Sequence, residues 1–131
     1  MKARPIQVRR FKDAKGGYRV LASWRRPERA VREAKVDLWI PELAPRVGLM
    51  RSYRQGRIGW KELNELYACQ LRSPEAQNLL KPLALLSVRR NMVLLCDCPG
   101  GTKCPNRVLI QELESCRRDG NFALKLHERD A

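Results

Sequence analysis

Histidine is nearly missing from this chain. His127 is the only one, close to the C-terminal end. A cysteine elsewhere therefore has no histidine nearby in sequence to act as its base. Acidic residues are also scarce, 14 Asp and Glu against 27 Lys and Arg, which leaves a formal net charge of +13. No apolar run approaches the roughly 20 residues that a helix needs to cross a bilayer, so no membrane partner is expected. The start, Met1-Lys2-Ala3-Arg4-Pro5, has no apolar segment behind its charges and does not read as a signal peptide. A cytoplasmic protein is expected, in the host cytoplasm if the source is a virus; an archaeal or archaeal-virus source would suit the composition. There is no internal repeat or low-complexity segment. There is also no helix-turn-helix, zinc-finger or RNA-binding signature.

What is present fits one folded domain spanning residues 1–131, with flexible ends expected at 1–5 and 127–131. Hydrophobic residues make up 44% of the chain and charged residues 31%, enough to bury a core. The five cysteines are expected as reduced thiols or metal ligands in a reducing compartment. A disulfide becomes admissible in a hyperthermophilic host.

Along the chain, Pro5 to Phe11 alternates apolar and basic residues, as a half-buried strand does. Asp13 to Gly17 is a turn, and Tyr18 to Trp24 reads as a second strand. Glu28 to Lys35 suits a short polar helix after Pro27. Val36 to Ile40 is a strand or a buried turn, followed by a stretch bracketed by Pro41 and Pro45. Arg46 to Gln55 is a weak basic helix. Trp60 to Leu71 is the clearest helix, with Trp60, Leu63, Leu66, Tyr67 and Leu71 on one face and Cys69 in its core or flank. Ser73-Pro74-Glu75 opens another helix with Ser as cap, and Pro82 is expected to kink or end it. Met92 to Cys96 is apolar without alternation, as in a central strand buried on both faces. Asn106 to Cys116 is helical, with Leu109, Leu113 and Cys116 along one side. Phe122, Leu124 and Leu126 allow a last edge strand.

Several short runs, in order, carry a resemblance. They are Tyr18-Arg19-Val20-Leu21, Ala34 to Ile40, Leu43-Ala44-Pro45, Trp60-Lys61-Glu62-Leu63 with Tyr67, Ser73 to Gln77, and Val93-Leu94-Leu95-Cys96. Together they resemble the small prokaryotic domain-of-unknown-function family number 488, over residues 6–115. The resemblance implies a single three-layer α/β domain. Its central, mostly parallel sheet would be flanked by helices in a Rossmann-like or rhodanese-like arrangement. It implies no agreed activity. Ser23-Trp24 stands where family members tend to carry Asp-Arg. Cys104-Pro105-Asn106-Arg107 stands where many carry a histidine or Cys-His-Arg, so any chemistry that depends on that histidine is absent here.

The stretch from Cys96 to Arg107 holds three cysteines, Gly100, Gly101, Lys103 and Arg107 between a strand and a helix. Beyond the carboxyl end of a parallel strand and before a helix N-terminus, backbone N–H groups and the helix dipole favour an anion. Gly100, Gly101, Lys103 and Arg107 are the candidate anion-binding residues. Three readings of the thiols stand side by side. Cys96 and Cys98 point to one face of a strand and Cys104 returns to the junction, a start towards a Zn²⁺ site. Cys116 cannot complete it, since a helix of about 1.5 Å per residue carries it on the order of 18 Å away. His127, Asp97, a water or a second subunit would have to. Alternatively, a disulfide joins Cys98 or Cys96 to Cys104. In the third reading the thiols are free, and Cys96 or Cys104 near Lys103 and Arg107 is a lowered-pKa nucleophile for sulfur or phosphoryl transfer.

The N-terminal quarter is the basic region. Arg9, Arg10, Lys12, Lys15, Arg19, Arg25 and Arg26 are interleaved with aromatic residues, of which Trp24 is the candidate for stacking on a base. The leading expectation is a small binding protein associated with DNA or RNA through its backbone. The alternatives are a Cys-loop enzyme and a structural or interaction protein with incidental charge. A homodimer is compatible with each.

Overall fold

The computed structural model describes residues 4–96 and 103–120, the last two by backbone alone. Four parallel strands form one sheet in the order β1-β4-β2-β3. They are β1 (Gln7–Arg10), β2 (Tyr18–Leu21), β3 (Leu38–Trp39) and β4 (Met92–Cys96). Five helices complete this α/β domain: α1 (Glu28–Glu33), α2 (Val47–Arg54), α3 (Trp60–Leu71), α4 (Pro74–Arg89) and α5 (Asn106–Gly120).

The last strand in sequence is central in space. β4 lies between β1 and β2, in register Val8↔Leu94 and Val20↔Leu94. Its residues Met92 to Leu95 are 1–2% exposed. A strand covered on both faces needs apolar side chains in both directions, which is why its sequence does not alternate. The two faces are covered unequally. Met92 and Leu94 join Val20, Ile40, Leu43, Tyr67, Leu71, Leu80, Leu109 and Leu113 in the main core, beneath α3, α4 and α5. Val93 and Leu95 join only Leu21, Val31 and Ala34, with Phe11, Ala14 and Val36 packed alongside. The second layer is thus α1 plus the β1–β2 connection.

That connection must return the chain from the end of β1 to the start of β2 across β4. Residues 11–17 do it with a short 3-10 turn at Phe11–Asp13. This is shorter than the dozen or so residues of a helical crossover. Gly16 and Gly17 close it with φ of 57° and 68°. A Cβ on Gly17 would lie 3.0 Å from Val93 Cγ2 and 3.1 Å from the Asn91 carbonyl oxygen, whereas one on Gly16 would meet nothing within 4 Å.

Arg19 joins the crossover to α1. Its Nε donates to the Gly16 carbonyl at 3.2 Å, its Nη1 donates to the Ala34 carbonyl at 2.6 Å, and its backbone N–H donates to Asp37 Oδ2 at 2.8 Å. On the opposite layer Arg117 on α5 donates from Nε to Ser87 Oγ at 3.0 Å. Its Nη2 donates to the carbonyls of Arg4 at 2.8 Å and Ser87 at 3.1 Å. Burial lowers the pKa of this guanidinium from its usual value.

Four expectations from the sequence need correction. β2 ends at Leu21, and Trp24 lies beyond it in a bend with Arg25. Leu66 is 43% exposed, because the inward stripe of α3 is the narrower Leu63, Tyr67 and Leu71. Cys69 is exposed as well. Pro82 does not end α4. An interior proline costs a helix about 3 kcal/mol, but α4 buries Ala76, Leu80, Leu83, Ala84 and Ser87 along one face. Packing of that face outweighs the lost backbone bond. The expected edge strand at Phe122 to Leu126 lies outside the described residues.

The crossover gives a stability test. Gly16→Ala is expected to cost about 1–2 kcal/mol for a left-handed backbone alone. Gly17→Ala should cost clearly more, because Asn91 cannot retreat while its carbonyl accepts from the Tyr18 N–H at 2.7 Å. Urea midpoints of the two variants measure this, and equal shifts would refute the account of the crossover.

Candidate functional site

In a parallel sheet the loops beyond the carboxyl ends of the strands collect at one edge. Here that edge lies beyond Arg10, Leu21, Trp39 and Cys96. Cys96 ends β4, half-buried and in register with Arg10. Cys104 precedes α5 and is 6% exposed. Its carbonyl accepts from the Arg107 N–H at 3.1 Å. Asn106 fixes the spacing of strand and helix, its buried amide donating to the Leu95 carbonyl at 3.2 Å. Sequence reasoning passed over this residue. Its one visible signal is an Asn directly after Cys104-Pro105 at the helix start.

Tyr67 was read only as core. Its hydroxyl donates to the Leu43 carbonyl, holding the segment after β3 against α3. Burial, with a further push from Cys104, raises the Tyr67 pKa far above the usual phenol range. Gln70 on the same helix donates to the Ala44 carbonyl at 2.7 Å and accepts from the Arg46 N–H at 3.0 Å. Together these two side chains shape the sheet edge next to β3.

The loop itself is only partly in view. Asp97, Cys98, Gly100, Gly101 and His127 lie outside the described residues. Cys96 and Cys104 are the described members of the expected zinc set. Among the described residues no group of three His, Cys, Asp or Glu converges as metal ligands. Lys103 and Arg107 are both exposed at the start of α5. Cys116 is buried on the inner side of α5, where its thiol lies 3.7 Å from Gln77 Oε1.

The expected nucleic-acid residues divide into two groups. Arg19 is committed to backbone carbonyls, Arg10 lies 3.6 Å from Asp13, and Arg26 pairs with Glu28 at 2.7 Å. Arg9, Lys12, Lys15 and Arg25 are exposed and form no ion pair among the described residues. Arg9 shares its face of the sheet with Val93 and Leu95, the face crossed by Lys12 and Lys15. Trp24 is 62% exposed beyond β2. Trp39, to which no site role had been given, donates its indole N–H to the Ser23 carbonyl at 2.7 Å. The Arg26 guanidinium stands 5.9 Å from its ring centroid. A second basic surface had been given no site role. α2 buries none of its residues, and its Arg51 and Arg54, with Arg57 just beyond, are exposed.

Tyr67 supplies a pH test. A phenol kept neutral in the fold stabilises it fully below the unfolded value near 10, and stability falls as pH rises beyond that. Tyr67→Phe should lower stability at neutral pH by about 1–3 kcal/mol, because it orphans a buried carbonyl. It should also flatten the alkaline decline, and parallel pH profiles for the two proteins would contradict this. Burial sets the order of thiol reaction too. With iodoacetamide followed by peptide mass mapping, Cys69 should be alkylated before Cys104 and Cys116, and early labelling of Cys104 would refute its placement.

A family model described as "Active DUF488-N3 subclade" matches residues 4–117. No curated protein and no solved structure matches the chain. The family match spans the sheet, the crossover and the Cys96–Arg107 edge, and the chain belongs to the DUF488 family.

Proposed function

We propose that this protein binds nucleic acid through the sugar–phosphate backbone, using the thin, basic layer over the Val93–Leu95 face of its sheet. The observation that carries the reading is local charge. Residues 9–35 contain ten Lys and Arg against three Asp and Glu. This segment includes the crossover and α1, which form that layer. Arg9, Lys12, Lys15 and Arg25 hold their charge in solvent and form no ion pair among the described residues. Such groups release counterions from a polyanion, so affinity falls steeply with salt. Arg51, Arg54 and Arg57 supply further cations.

Fluorescence anisotropy with labelled DNA and RNA at two salt concentrations tests the reading. Binding is expected at low salt, weakening to the range of about 10⁻⁴ to 10⁻⁶ M at physiological salt. Lys12→Glu with Lys15→Glu should weaken every sequence alike and reduce the salt slope by about one unit per lost phosphate contact. Absence of binding at low salt would end the proposal.

A second reading has one observation in its favour. Cys96 and Cys104 both lie at the carboxyl edge of the sheet, beside the start of α5. A thiol activated there would serve sulfur or phosphoryl transfer. Its mark would be an alkylation rate at Cys96 or Cys104 that titrates below the ordinary thiol range of about 8–9. A normal titration removes the reading.

A further inference from the structure

We infer that the nucleic acid is bound as a single strand, with its bases stacked on Trp24 and Trp39 at the carboxyl edge of β2 and β3. This rests on the nucleic-acid reading above and adds the kind of strand and the surface that selects it. Trp24 is 62% exposed and Trp39 is 37% exposed. Indole is the largest apolar side chain, and two such rings in solvent, one at the end of β3 and one just beyond β2, forgo burial that the adjacent core provides. The arrangement is built rather than loose at Trp39. The ring is fixed by its N–H to the Ser23 carbonyl at 2.7 Å. Arg26 stands over it at 5.9 Å and is itself held by both oxygens of Glu28 at 2.7 Å. Among the described residues Trp24 has no ring partner, and Arg25 beside it is exposed and forms no ion pair.

This combination fits a single strand. A flat aromatic surface takes the face of any base, and an adjacent guanidinium takes the phosphate that follows it. In a duplex the base faces are already stacked on one another and only their edges reach the grooves. A duplex would therefore meet the basic groups but leave both indoles unused. Trp24 sits one residue past Ser23, whose carbonyl anchors Trp39. The two rings thus belong to one support at the mouth of the sheet.

The test uses the full chain and three labelled probes of one length: oligothymidylate, an abasic strand and a duplex. Oligothymidylate should bind about tenfold or more tighter than the abasic strand, the scale of one stacked base. Trp24→Ala should remove a large part of that preference for oligothymidylate, Trp39 retaining the rest, while leaving abasic and duplex binding and the salt slopes unchanged. Trp39→Phe keeps a ring but loses the bond to Ser23, and should produce a smaller loss. If the three probes bind alike, or if Trp24→Ala binds oligothymidylate as the parent does, the single-strand inference is overturned while the nucleic-acid reading stands. If no probe binds at low salt, both fall. A Trp24-dependent dimer in sedimentation, without discrimination among probes, would assign the two rings to a second copy instead and overturn the inference.

Discussion

β4 is the constraint on which the rest of the fold depends. β1 and β2 do not pair with each other; each pairs with β4. Among the described residues β3 pairs only with β2. Until residues 92–96 insert, the N-terminal strands lack the partner that completes their hydrogen bonds, and the sheet has no centre. The pairing of Val8 with Leu94 spans most of the chain, so its loop must close before the contact stabilises anything. Such closure is only slowly costlier with length, but it delays folding. The reward is a strand sealed on both faces, which requires four consecutive apolar residues and leaves no place for a charge.

The position of β4 also creates the asymmetry of the molecule. Because β1 and β2 flank it, the chain between them crosses one of its faces, and a connection as short as residues 11–17 forms only a thin cover. The long helices α3, α4 and α5 take the other face and hold most of the core. A thin cover has few inward positions. Phe11 and Ala14 use them, while Lys12 and Lys15 are left outside. The basic surface is in this sense a product of topology: a segment with ten cations was placed where little of it could be buried. Arg19 shows the limit of a reading by charge alone, since its guanidinium is committed to the carbonyls of Gly16 and Ala34 and ties the thin layer together.

Much of the fold was legible beforehand. The unbroken apolar run at Met92–Leu95 announced a buried strand. The Ser73-Pro74 start of α4 is realised with Ser73 Oγ accepting from the Ala76 N–H at 3.2 Å. The bounds of α3 follow from its apolar period. What escaped were features that depend on distant partners. Pro82 signals a break in any local reading, and only the face that α4 buries shows why the helix continues. Leu66 has an inward spacing on paper, but the stripe that meets the core is narrower. Asn106, Gln70 and Tyr67 look like ordinary polar or apolar residues until the carbonyls of Leu95, Ala44 and Leu43 are placed opposite them.

The sequence by itself determined the class of fold, the identity of the central strand, the concentration of positive charge in the first quarter and the location of a cysteine-bearing strand–helix junction. Each is a property of composition or of short-range periodicity. Tertiary structure alone decided the strand order, which cations are spent on internal bonds, and the exposure of Trp24 and Trp39. Those depend on which surfaces meet. Sequence position alone leaves an indole open to either core or surface, and it becomes a surface for another molecule only when the fold leaves the ring exposed at the edge of the sheet.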